Sequence, residues 1–192
     1  MRFIFLFLLF SLSIYSWSKA DNISEFEIEG ISLEESLLNH FDENKIIANN
    51  LNYIYHNDKF YAVAFYKENF YETYESLEIH LKKDDKNYKI YAIDGLIFYD
   101  EINECHKKQD EIIKDINNLL ENTKMIDLGV SKMSDDITGK SSRRSFYWEL
   151  DNGNIVAVEC YDWSEEIFKK NSWYDNLRIS IVTKELNNWL TN

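Results

Sequence analysis

The sequence predicts an α+β fold: an antiparallel sheet with one long helix packed on it, short helices near both ends, and one disulfide from helix to strand. Three observations predict it. Several short stretches alternate apolar and polar residues, the period of a strand with one buried face. Residues 102–121 instead repeat apolar residues at three- and four-residue spacing, the period of a helix with one buried stripe. The chain holds just two cysteines, Cys105 in that helical stretch and Cys160 in a strand-like one.

Residues 1–20 read as a secretory signal peptide. Arg2 precedes an apolar run from Phe3 to Tyr15, and Ser18 and Ala20 are small residues at the −3 and −1 positions of a cut after Ala20. The run is shorter than the ~20 residues of a spanning helix. The remainder, 21–192, reads as a single α+β domain. The leader carries Arg2 and Lys19 and no acid, so its loss takes the net charge from −13 to −15.

Within that domain Phe26 and Ile28 alternate with Glu25, Glu27 and Glu29, a short strand ended by Gly30. Ser32 and Glu35 have the spacing of a capping box, which predicts a helix to about Phe41. Asp42 caps a second helical segment through Ile46 and Ile47. Phe60 to Tyr66 reads as strand. Leu77, Ile79 and Leu81 alternate with Glu78 and His80, which places His80 toward solvent. A polar turn, Asp84 to Asn87, leads to a partner strand, Tyr88 to Ile93. On the helix, Ile102, Cys105, Gln109, Ile112, Ile113, Ile116, Leu119 and Leu120 form the buried stripe, with Gln109 its one polar member. Residues 122–143 lack a period and read as a long loop. Phe146, Trp148 and Leu150 begin a hairpin that turns at Asp151 to Asn154 and returns through Ile155 to Tyr161. Residues 162–175 read as a polar, aromatic loop. Leu177, Ile179 and Ile181 make the last strand, and Lys184 to Leu190 a closing helix.

In an exported chain, an even cysteine pair reads as a disulfide. Cys160 shares the inward face of Val156 and Val158, so a Cys105–Cys160 bond would tie helix to sheet.

Composition narrows function by exclusion. With 45% hydrophobic and 16% aromatic residues the chain can bury a core, so disorder is excluded. The acidic balance excludes a general nucleic-acid binder. Five glycines and no proline leave turns to Asn and Asp. Thr138-Gly139-Lys140-Ser141 fails as a phosphate loop, because Ser134 stands where the motif needs Gly. His40, His56, His80 and His106 have no ligand spacing, so neither metal nor cofactor is expected. No nucleophile elbow is present. Lys140, Arg143 and Arg144 are the tightest basic cluster. The most suggestive segment joins Tyr161, Asp162, Trp163 and Glu165 to Trp173 and Tyr174. Aromatic rings among carboxylates suit a cationic ligand, a sugar or a protein hot spot.

Four passages carry a resemblance: Phe26 to Leu33, Glu104 to Gln109, Glu159 to Ser164, and Glu185 to Leu190. Together they resemble a family of small exported proteins of unknown function from AT-rich marine alphaproteobacteria. The Ile31 to Phe41 start is also similar to small envelope domains of the outer-membrane-assembly lipoprotein or β-lactamase-inhibitor type, though no anchor cysteine follows Ala20. The resemblance implies export, and because the family has no known activity it carries over no catalytic residue.

The expectation is therefore a periplasmic or secreted protein with no stable membrane insertion after leader cleavage. It is read as a non-enzymatic binding or protein-interaction module, with an envelope protein, a cationic ligand or a sugar as partner. The alternative is a small envelope hydrolase or sugar-processing enzyme that uses Asp162 or Glu165 beside the aromatic loop.

Overall fold

The computed structural model describes residues 26–51, 58–134 and 136–191; the expected leader and His56 lie outside them. Strands β1 (Glu27–Ile28) and β2 (Ile31–Ser32) form a hairpin through Glu29 and Gly30, at φ 54° and 74°. Two left-handed residues give the turn whose twist matches its strands. The Glu29 carboxylate then accepts the backbone N–H groups of Glu72, Thr73 and Tyr74, at 2.8, 2.8 and 2.9 Å, and pins that distant loop.

The helix expected from the Ser32–Glu35 box to about Phe41 is replaced by a 3-10 turn at Leu37–Asn39, capped by Ser36. Half of the Ser32–Glu35 box forms: Glu35 accepts the Ser32 N–H at 2.7 Å, but the Ser32 hydroxyl donates to Glu27 instead. The cause is tertiary. The Glu34 N–H donates to the Ile90 carbonyl and the Ile90 N–H to the Glu35 carbonyl, which consumes groups that an α-helix would use. Helix α1 (Glu43–Ala48) follows as expected, with Asp42 accepting the Lys45 N–H at 3.0 Å.

Strands β3 (Phe60–Tyr66), β4 (Ser76–Lys82) and β5 (Ile90–Phe98) form a meander. Helix α2 (Ile102–Leu119) then carries the chain to the far edge of the sheet. A second meander follows: β6 (Met125–Lys132), β7 (Ser142–Glu149) and β8 (Ile155–Asp162). After α3 (Glu165–Asn171), β9 (Asn176–Val182) slots between β5 and β8, and α4 (Lys184–Thr191) closes the described chain. The result is one seven-stranded antiparallel sheet in the order β3-β4-β5-β9-β8-β7-β6.

Two stretches read as loop are therefore ordered elements. Residues 122–143 contain β6, an exposed edge strand with a bulge between Asp127 and Gly129. The extra residue breaks the two-residue period that marks a strand. Residues 162–175 contain α3, too short for a helical period to stand out.

One face of the sheet is apolar and covered by helix. Leu77, Ile79, Phe146, Trp148, Val158, Cys160, Leu177 and Ile181 share a core cluster with Ile31, Leu37 and Ile46 of the N-terminal elements and Ile113 of α2. The Cys105–Cys160 disulfide joins α2 to β8, with the two Cα atoms 6.1 Å apart and a sequence separation of 55. Beside it the buried Gln109 amide donates to the carbonyls of Arg144 (2.9 Å) and Val158 (3.0 Å), which explains a polar residue on the buried stripe. On β5, Gly95 leaves room for the Tyr74 ring, since a Cβ there would lie 2.5 Å from it.

His80, expected toward solvent, is buried 3.2 Å from Asp94. The alternation along β4 is real, but both of its faces are buried. Among the described residues no helix is long and apolar enough to cross a membrane.

Candidate functional site

The second face of the sheet carries charge. Register places Glu78 opposite Asp94, Asp94 opposite Ser180, Arg178 opposite Glu159, and Glu159 opposite Ser145. The Arg178 guanidinium reaches Glu78 at 3.1 Å and Asp94 at 3.5 Å. Glu159, 5% exposed, accepts from Ser145 (2.8 Å), from Tyr161 (2.9 Å) and from Tyr147, and lies 3.4 Å from Arg143. Burial pushes the Asp94 carboxyl up, but hydrogen bonds from His80 and Ser180 and the charge of Arg178 hold it below the usual carboxylate range. Burial and the Glu159 charge push the Tyr147 phenol up to about 12. Tyr161 is raised by the same two causes. Neutral phenols donating to a charged carboxylate make a stable lattice. Glu159 and Asp94, already engaged by donors, are poor candidates for a general base.

At the end of this face lies the segment singled out from sequence. Its first strand residue is fixed by the disulfide at Cys160. Its far end is tied back because the Asp175 carboxylate accepts the Trp163 N–H at 2.7 Å. Between them Ser164 caps α3 by accepting the Ile167 N–H, and Ser172 ends the helix at φ 57°. The rings fall into two touching groups, with Tyr161, Trp163 and Trp173 in one and Tyr174 in the other. Trp163 stacks on Tyr161 with centroids 5.5 Å apart and touches Trp173 at 4.8 Å. Tyr174 joins Phe168 of α3 at 5.0 Å and Phe98 of β5 at 6.1 Å. Trp173, Phe168 and Tyr174 nevertheless remain 36%, 41% and 53% exposed.

The carboxylates are distributed differently. Asp162 follows Tyr161 on a strand and so points to the opposite face. There it accepts from the Ser142 hydroxyl at 3.3 Å and contributes to the field at His106, whose imidazole burial and Arg144 push down. Glu165 pairs with Lys169 along α3. Burial and the nearby Asp162 charge push the Asp175 carboxyl up, despite the Trp163 N–H.

The basic cluster is internally neutralised: Lys140 with Glu166 (2.7 Å), Arg143 with Glu159, Arg144 with Asp110 (2.8 Å). The Thr138–Ser141 loop does cradle an anion, and that anion is the chain's own Asp136. Its carboxylate accepts the backbone N–H and hydroxyl of Thr138 (2.8 and 2.7 Å) and of Ser141 (2.8 and 2.7 Å). Those bonds hold the Asp136 carboxyl well below the usual range. Among the described residues no three His, Cys, Asp or Glu side chains converge to hold a metal.

Sequence reasoning missed the charged face and α3. The charged face left no local signal, since alternation gives a buried Glu159 and an exposed glutamate the same pattern. Comparison of the chain with protein-family models, with curated proteins and with solved structures gave no match.

Proposed function

We propose that this is an exported, non-enzymatic interaction module, periplasmic or secreted, and a member of the small exported family that its four passages resemble. Its contact surface is the aromatic patch of Trp163, Trp173, Tyr174 and Phe168. One observation carries this reading: Phe168 and Tyr174, which touch each other, and Trp173, which packs on the half-buried Trp163, stay exposed on a segment tied at both ends. Exposed clustered aromatics mark association surfaces. The strongly negative chain favours a basic or cationic partner. The disulfide is consistent with export into an oxidising compartment.

The test is capture by the mature, oxidised protein from envelope extract at two salt concentrations. Trp173→Ala with Tyr174→Ala should abolish capture while the fold is retained. Unchanged capture by the double variant removes the patch from the reading.

The hydrolase alternative has one observation in its favour. A carboxyl pushed up by burial beside a second carboxylate, as Asp175 is beside Asp162, is what a general acid requires. Hydrolysis of a chromogenic glycoside or ester, lost in Asp175→Asn, would favour it. No turnover across such a panel leaves the interaction module.

A further inference from the structure

The hairpin between β6 and β7 ends in a tight turn closed by the Gly139 N–H donating to the Asp136 carbonyl at 2.9 Å. Ile137 occupies the apex and is 100% exposed. A bulky aliphatic side chain fully in water on a mobile loop would need no explanation. This one stands on a turn held from beneath by the four hydrogen bonds to Asp136. The turn is also locked to the aromatic segment. The Ser164 N–H donates to the Ser141 hydroxyl at 2.8 Å, and Lys140 pairs with Glu166 of α3 at 2.7 Å. Apex and aromatic patch thus belong to one rigid end of the sheet.

We propose that Ile137 and the α3 aromatic patch form one two-part docking surface for a basic protein with a concave apolar cleft, into which Ile137 inserts. A convex apex is buried only by a concave partner. A pre-ordered loop gives up little conformational freedom on binding. The partner is basic because the chain carries −13. The same charge opposes an anionic lipid surface and a second copy of this chain. The aromatic half of this surface rests on the reading given above; the Ile137 half does not.

The experiment uses the full mature, oxidised protein carrying benzoylphenylalanine in place of Ile137, or, as control, in place of the exposed Lys114 of α2. After irradiation in envelope extract, a protein adduct specific to position 137 is expected. The adduct partner is then purified and titrated with wild type, Ile137→Asp, Ile137→Ser, and Trp173→Ala with Tyr174→Ala. The proposal expects a basic partner and at least tenfold weaker binding for both Ile137 variants, with unchanged circular dichroism. It is overturned by the absence of a position-specific protein adduct, by labelling of lipid instead, or by undiminished affinity of both Ile137 variants. Should the aromatic variant alone lose affinity, the Ile137 inference fails and the aromatic reading stands. Should the Ile137 variants alone lose it, the reverse holds.

Discussion

Along β8 and β9, Val158, Leu177 and Ile181 enter the apolar cluster beneath α2, while on the opposite face their sequence neighbours Glu159 and Arg178 lie across from each other and Ser180 lies across from Asp94. Both sets are largely shielded from water. The first is stabilised by removal of apolar area, a term that depends on volume and little on identity. The second takes charges out of water, at several kcal/mol per ion, and recovers this only while every partner is present. One face should therefore yield gradually to mutation and the other abruptly.

The sharpest break is Arg178→Met. It leaves Glu78 and Asp94 buried side by side without the cation that reaches both. The expected loss is about 3–5 kcal/mol by urea denaturation. Adding Glu78→Gln and Asp94→Asn should restore most of it, since the uncompensated charges are then gone. On the helix-covered face, Ile181→Val should cost about 0.5–1.5 kcal/mol. Equal losses for Arg178→Met and Ile181→Val would erase the distinction.

Next in size is the staple. Cys105→Ala with Cys160→Ala should cost about 2–4 kcal/mol, from the freedom returned to the unfolded chain across the 55-position separation. The loss should show in the unfolding midpoint and leave the Gln109 contacts in place. A double variant as stable as wild type would mean that Gln109 and the apolar stripe hold α2 by themselves.

The helix-covered face was legible because volume and period are both written locally. Leu77 and Ile79, Phe146 and Trp148, and the α2 stripe from Ile102 to Leu120 all announce the side they bury. The charged face was not legible, because alternation labels a buried, paired Glu159 and an exposed Glu149 alike. What separates them is Arg143 and Tyr147, brought in by pairing with β7, and Tyr161 two residues along β8 itself. The same limit applied at the site. Grouping Trp163 with Trp173 needed only their place in one segment. The divergence of Asp162 from Tyr161 could have been read from strand alternation. The exposure of Ile137 depends on how Asp136 organises the turn beneath it, which a lone isoleucine in a polar stretch does not reveal.

Acid should discriminate further, with a smaller effect. Glu29 is pushed up by burial but held low by the Glu72, Tyr74 and Thr73 N–H groups. Asp94 and Asp136 are likewise held below their unfolded values. A carboxyl with a depressed folded pKa adds stability above its unfolded value, about 4, and loses it as pH falls through the folded one. Asp175, raised in the fold, has the opposite sign: its contribution is present at low pH and lost as pH rises. Glu35, Glu166 and Glu185 are lowered as well, so six carboxyls against one predict that the urea midpoint falls between about pH 5 and pH 3. Asp136→Asn should flatten that fall. A midpoint independent of pH across the range would mean these carboxylates titrate alike in both states.

The smallest expected effect is the most informative about function. If Trp173 and Tyr174 were a satellite core beneath their loop, truncating them would behave like the helix-covered face, where Trp148→Ala should cost about 3–5 kcal/mol. If they are a contact surface, Trp173→Ala with Tyr174→Ala should change stability by no more than about 0.5 kcal/mol, as exposed substitutions do. The rings do touch their neighbours, so some loss of packing is built into the comparison. The tie that orders the segment, however, is the Asp175 carboxylate on the Trp163 N–H, which neither substitution removes. A loss well above 1 kcal/mol would place the patch with the core and withdraw it as a docking surface. A loss near zero would leave two exposed aromatic rings that the fold holds in place without depending on them for its stability.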